Sequence, residues 1–194
     1  MDPINIFVGI NLIYSLFANA SGAKKGFKKK ISGIVEKPQT YLQKVPPNIS
    51  ALILVLIVLG IFGIGTLKAS QSNAEMIWRI AGLLFFVAFS ILEVQAFKTL
   101  GKFYTQDIAV LKGQNLVVSG YYKIIRHPQY LFQILSDIGA GVALQSYLVI
   151  FAAVLLEIPL FILRAKKEEE LLEKHFGEEY KIYKQNSSSF LPFI

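Results

Sequence analysis

The sequence predicts an all-α integral membrane protein of about five transmembrane helices, the last two forming a helical hairpin. Three observations carry that expectation. Hydrophobic residues make up 54% of the 194-residue chain and charged residues only 17%, against about 25% charged in soluble domains. Uncharged apolar runs of membrane-crossing length recur along the chain. The net charge of +7, from 20 basic and 13 acidic residues, is concentrated between those runs, as expected when Lys and Arg collect on one side of a bilayer. A disordered chain is excluded. The chain reads as a single membrane domain over 1–194, with three N-terminal spans in 1–97 and a chemistry-bearing part in 98–194. It has no cysteine, which excludes disulfides, Cys-ligated zinc and cysteine nucleophiles. The N-terminus, MDPINIFVGI, lacks the basic n-region of a cleaved signal peptide.

The first span is Pro3 to Ala23, uncharged, with Pro3 suited to a first helical turn. A lysine-rich loop, Lys24 to Lys44, follows. The second span is Val45 to Leu67, opened by Pro46 and Pro47. A polar link, Lys68 to Glu75, leads to the third, Met76 to Phe97, where Arg79 and Glu93 lie near the ends and reach toward the interfaces. Residues 98–127 are polar, broken by Gly101, Gly113 and Gly120, and read as a loop with local structure. Pro128 to Leu163 is apolar except for Asp137 and Glu157. One helix of that length would measure about 54 Å, against a core of about 30 Å, so the run folds into a hairpin near Gln145-Ser146. A single tilted span over 138–156 is the weaker alternative. Pro159 predicts a kink in the second arm.

Five crossings place 18 of the 20 basic residues on one face. The expected topology has the N-terminus outside and the C-terminus in the cytoplasm. Nucleic-acid binding is disfavoured, because the basic residues flank spans and form no basic domain. The partner implied is the lipid bilayer.

Two segments on the basic face carry candidate chemistry. In Gln114 to Tyr130, QNLVVSGYYKIIRHPQY, a β-like run Leu116–Val118 is followed by a Ser119-Gly120 turn. Arg126-His127-Pro128 then stands at the mouth of a helix whose free N–H groups suit an anion. Tyr121, Tyr122 and Tyr130 either belt the interface or line a pocket with His127. In the second segment, RAKKEEELLEKHFGEEYKIY, Arg164 and Glu168 share a helix face, and Gly177 ends the helix. They form either a site or an ordinary i,i+4 ion pair. With only His127 and His175 and no cysteine, no metal is expected. Glu93, Asp137 and Glu157 fall within spans, where ionisable groups are costly.

The ordered set LVVSGYY–x3–RHPQY, then R-A-x-x-E-E, then HFGEEYKIYK and a late proline resembles the isoprenylcysteine carboxyl methyltransferase family over about residues 104–193. Looser versions occur in phospholipid N-methyltransferases and membrane sterol reductases. The resemblance implies an S-adenosylmethionine-dependent O-methyltransferase acting on the carboxylate of a prenylcysteine-like substrate, with a cytoplasmic cofactor pocket built from the 98–130 segment and the C-terminal helix. Carried over by position, it assigns the cofactor to Asp107, Gln114, Asn115, Leu116, Val117, Tyr122, His127, Pro128, Gln129, Tyr130 and Glu168. It makes Arg164 and Glu168 the catalytic pair, with Arg164 on the substrate. The chain departs from the family at Gln114, Tyr121 and the bulky Leu131-Phe132, which leaves the acceptor open. The alternatives are a lipid-amine N-methyltransferase, a membrane NADPH-dependent reductase, and a non-enzymatic scaffold or transporter.

Overall fold

The computed structural model describes residues 2–29, 33–67 and 72–190. The helices are α1 (Pro3–Lys29), α2 (Val45–Ile61), α3 (Asn73–Leu100), α4 (Pro128–Leu144), α5 (Tyr147–Ala152), α6 (Ile158–Phe176) and α7 (Glu178–Gln185). A π-helical stretch, Ala153–Glu157, joins α5 to α6 in one continuous rod. It ends two residues before Pro159, which has no N–H to give the Leu155 carbonyl, and the widened turn contains that carbonyl. A two-stranded antiparallel ribbon pairs β1 (Ile34–Glu36) with β2 (Val110–Leu111).

Three helical rods are long and apolar enough to cross a membrane: Tyr41–Ile61, Asn73–Phe103 and Tyr147–Phe176. The apolar part of the first helix, Pro3–Ala18, is shorter, and the 17 residues of α4 span about 26 Å. Large apolar side chains such as Trp78, Phe17 and Phe62 stand exposed, as they do on a surface solvated by lipid. The chain is an integral membrane protein.

The hairpin folds where expected. Gln145 takes a left-handed conformation, φ 52°, and Ser146 caps α5 through the N–H of Val149 at 3.4 Å. This break removes the single-span alternative over 138–156. α2 is shorter than expected, ending at Ile61 with a turn through Gly63 and Gly65. The link's residues 68–71 lie outside the described residues, and Ser72 caps α3.

α4 is the hub: α3 packs along it, with α1, α2 and α5 around its other faces. α3 and α4 cross closely because both carry glycine there. A Cβ on Gly139 would stand 2.6 Å from the backbone N of Phe86, and one on Gly82 would stand 2.6 Å from that of Ala143. Small residues at such crossings let helices associate by backbone contact in lipid. Ile4, Val8, Ile53, Ile57, Phe86, Leu144 and Val149 complete the core.

Three local expectations change. Arg79 does not reach to an interface. It is buried and donates to Asp2 at 2.7 Å, Asn5 at 3.0 Å and the Ala143 carbonyl at 3.1 Å, tying α1, α3 and the hairpin tip together. Its hydrogen bond holds the Asp2 carboxyl below the usual range. Glu93 turns inward toward Asp137 and Glu157. Leu116–Val118 forms no strand; the ribbon present pairs β1 with β2.

Candidate functional site

The segment after α3 doubles back over the start of α4, and α6 and α7 close over it. Between them lies an open cleft. Asp107, Gln114, Asn115, Leu116, Val117, Tyr122, His127, Gln129, Tyr130 and Glu168 all line it. Of the expected site residues, only Pro128 and Arg164 do not. Pro128 is buried as the first residue of α4. Arg164 lies behind Tyr130.

Arg164 is 4% exposed and its guanidinium is held from several sides. Nε donates to the Tyr130 hydroxyl at 2.7 Å and lies 3.3 Å from Glu168. Nη1 donates to the Leu42 carbonyl at 2.9 Å and Nη2 to that of Gln106. The Tyr130 hydroxyl in turn donates to Glu168 Oε1. A guanidinium has five N–H groups, and these bonds use three. One remains on each Nη.

His127 sits between two carboxylates. Its Nε2 is 3.3 Å from Glu169 Oε1 and its Nδ1 is 3.6 Å from Glu168 Oε2. The same Glu169 oxygen accepts from Arg126 Nε at 2.9 Å and Ser189 Oγ at 3.0 Å. The chain end is stitched onto the mouth of α4: Arg126 N donates to Ser188 O and His127 N to Ser189 O. Part of the expected free N–H array at this helix mouth is thus taken by the tail. Phe190 stacks beside His127, ring centroids 5.8 Å apart. Burial pushes Tyr104 and Tyr183 up to about 12 and raises Tyr122 further, so all three are neutral donors at neutral pH.

Sequence reasoning missed one part of the wall and one segment that supports it. Tyr180 and Tyr183 of α7 line the cleft, although both belong to the quoted HFGEEYKIYK run. Residues 33–44, read as a basic loop, pack against the 107–111 segment and Arg164 beside the cleft. Gln43 bonds both ways with the Ile108 backbone, at 2.9 and 3.0 Å, and Lys37 pairs with Asp107 at 3.1 Å. His175 is exposed, as expected. Among the described residues no group of His, Asp and Glu could hold a metal.

Residues 81–174 match the sequence model of the isoprenylcysteine carboxyl methyltransferase (ICMT) family. That match takes in just under half of the chain. It is 30% identical over 115 residues to protein-S-isoprenylcysteine O-methyltransferase B of Arabidopsis thaliana, covering 58% of each chain. Against protein-S-isoprenylcysteine O-methyltransferase of Homo sapiens it is 33% identical over 117 residues, 59% of this chain and 41% of that one. The chain thus spans less than two thirds of the length of these ICMT relatives. A solved structure of the eukaryotic intramembrane Ras methyltransferase ICMT aligns with 100% of this chain and 69% of its own, with TM-score 0.66 and 23% identity. That likeness establishes a shared fold. The ICMT match takes in most of α3, all of α4 and the part of α6 that carries Arg164 and Glu168.

Proposed function

We propose that the protein transfers a methyl group from S-adenosylmethionine to the carboxylate of a membrane-embedded, prenylcysteine-like acceptor, at the cytoplasmic end of a five-helix bundle with the N-terminus outside. The observation that carries this reading is the position of Arg164. It bonds Tyr130 and Glu168 of the cleft wall and keeps two N–H groups uncommitted.

The cleft suits the methyl donor. Glu168 offers carboxylate oxygens to ribose hydroxyls or an ammonium, and its charge complements a sulfonium. His127 is placed to hold the donor's carboxylate. Tyr122, and the aromatic rings of Phe103 and Tyr183 opposite, give flat apolar faces for a purine. Gln114, Asn115, Leu116, Val117 and Gln129 complete the wall, with Asp107 at the rim. S-adenosylmethionine, when bound, supplies an electrophilic methyl group and leaves as a neutral thioether.

The protein's own task is then positioning. The acceptor carboxylate is ionised at neutral pH, so no general base is needed. Arg164 grips it end-on and aims one oxygen. Tyr130 bonds Arg164 and Glu168 at once, which fixes the acceptor grip relative to the donor's wall. Burial of Arg164 and the C-terminal tail beside His127 limit the water that would compete. Pro128 acts by starting α4 in the register that presents Gln129 and Tyr130 to the cleft.

The test is a labelled-methyl assay with purified protein, S-adenosylmethionine and a prenylcysteine analogue. A carboxyl methyl ester releases its label in base, whereas an N-methyl product keeps it. Base-labile incorporation is expected. Base-stable label, or none in protein that binds S-adenosylhomocysteine, contradicts the assignment.

A further inference from the structure

Two donors in the cleft wall have nothing to receive them. The first belongs to Arg126, which among the described residues is the one Lys or Arg that lines the cleft. Its side chain is 9% exposed and is pinned from behind. Nε donates to Glu169 Oε1 at 2.9 Å, and Nη1 donates to the carbonyls of Lys184, at 3.2 Å, and Ser187. These bonds occupy three of the five N–H groups of a guanidinium. The other two sit on Nη2, which bonds to none of the described residues.

The second donor is the Tyr180 hydroxyl. Tyr180 lines the cleft and is 1% exposed, and its hydroxyl has no hydrogen-bond partner. Burial pushes that hydroxyl up, so it is a neutral donor at neutral pH, and the charges of Glu169 and Arg126 both act on it. The hydroxyls of Tyr130 and Tyr183, by contrast, are committed to Glu168 and to the Tyr122 carbonyl. A buried donor without an acceptor is costly, and native structures rarely keep one.

The surrounding charges point to what the missing acceptor is. His127 Nδ1 lies 3.6 Å from Glu168, and Nε2 lies 3.3 Å from Glu169, the carboxylate that holds Arg126. Both ring nitrogens face carboxylates, which leaves His127 a secondary grip on an anion. Of the other charged groups that line the cleft, Asp107 is paired with Lys37. Glu168 and Arg126 stand on the two sides of His127 with opposite charge. An α-amino acid carries an ammonium and a carboxylate on one carbon, the complement of that pair.

We infer that Arg126 and Tyr180 form the subsite for the carboxylate at the amino-acid end of the methyl donor, with Arg126 Nη2 and the Tyr180 hydroxyl donating to it and His127 beside them. This rests on the reading of the cleft as the S-adenosylmethionine site. Glu169 and the Ser187 carbonyl then serve to hold the guanidinium ready before the donor arrives, which lowers the cost of binding.

The experiment titrates S-adenosylhomocysteine and its decarboxylated analogue, which keeps the ammonium, into the full-length protein by calorimetry. The wild type should bind the analogue about tenfold or more weakly, the scale of one lost charge-assisted contact. Arg126→Gln should weaken S-adenosylhomocysteine by that factor and leave the analogue within about twofold, which also certifies the fold. Tyr180→Phe removes an oxygen that bonds nothing in the chain. It should leave Tm unchanged or higher and still weaken S-adenosylhomocysteine severalfold, and it decides the matter alone if Arg126→Gln does not fold. Equal binding of the two ligands by the wild type overturns the inference and leaves the S-adenosylmethionine reading standing. So does a loss in either folded variant that falls equally on both ligands, or an S-adenosylhomocysteine affinity that either substitution leaves unchanged. Binding of neither ligand by the wild type overturns that reading, and the inference with it.

Discussion

The two ends of α4's surroundings are held together in opposite ways. Along its length α4 meets α3 chiefly through missing side chains: Gly82 and Gly139 bring the backbones together. At its start, a few turns away, the chain is held by directional polar bonds that converge on Arg126, His127, Arg164, Glu168 and Glu169. Close backbone packing suits lipid, where apolar burial gives no advantage over solvation by acyl chains. Polar cross-links suit a site that must present charge in fixed directions. The contrast teaches that substitutions in the bundle should change stability first, and substitutions at the mouth of α4 should change chemistry first.

The largest expected break of that contrast is at Arg164. Arg164→Ala should lower turnover at least about 100-fold, the scale of a misplaced reactant, while Arg164→Lys should not restore it, because a point charge cannot replace the fork. Initial rates at saturating donor check both. Next is Glu168→Ala, which removes a charged acceptor from the cleft. It should weaken S-adenosylhomocysteine binding about tenfold or more, read by calorimetric titration.

On the bundle side the effect moves to stability. Gly139→Ala forces a Cβ to within 2.6 Å of the Phe86 backbone and should cost about 1–3 kcal/mol, as overpacking does. That corresponds to a Tm lower by several degrees in detergent, with S-adenosylhomocysteine affinity of the folded protein unchanged. The smallest effect is expected at Asp2, whose carboxylate is partly exposed. After allowance for solvent screening, Asp2→Asn should cost about 1 kcal/mol or less. The Arg79 hydrogen bond lowers the folded Asp2 pKa. Its contribution is therefore present above the ordinary carboxylate range, about pH 4, and is lost as pH falls through the depressed value. The Tm gap between wild type and variant should close in acid.

The features legible in the sequence were those with a local signature. The uncharged runs, the hairpin break at Gln145-Ser146, the Pro128 start and the i,i+4 pairing of Arg164 with Glu168 each follow from spacing or from one residue's conformational habit. The cleft wall was legible through its motifs. What escaped depends on partners distant in the chain. The Gln43–Ile108 bonds join residues 65 apart, and the three-residue strand Ile34–Glu36 is too short to show a period. Arg79 resembled an interfacial anchor because nothing in its own neighbourhood reveals Asp2 and the Ala143 carbonyl. Leu116–Val118 had strand-like residues but no partner edge. The return of Ser187–Phe190 onto the mouth of α4 rests on backbone bonds to Arg126 and His127 and on side-chain bonds of Arg126 and Glu169 to Ser187 and Ser189, all between partners distant in the chain.

The central claim is a division of labour across Tyr130, with the donor on the Glu168 side and the acceptor on the Arg164 side. Its most direct test is a calorimetric titration of S-adenosylhomocysteine into purified Arg164→Ala and Glu168→Ala proteins side by side. Near wild-type affinity in the first and a dissociation constant raised about tenfold or more in the second is the predicted result. Loss of affinity in Arg164→Ala equal to that in Glu168→Ala would contradict it.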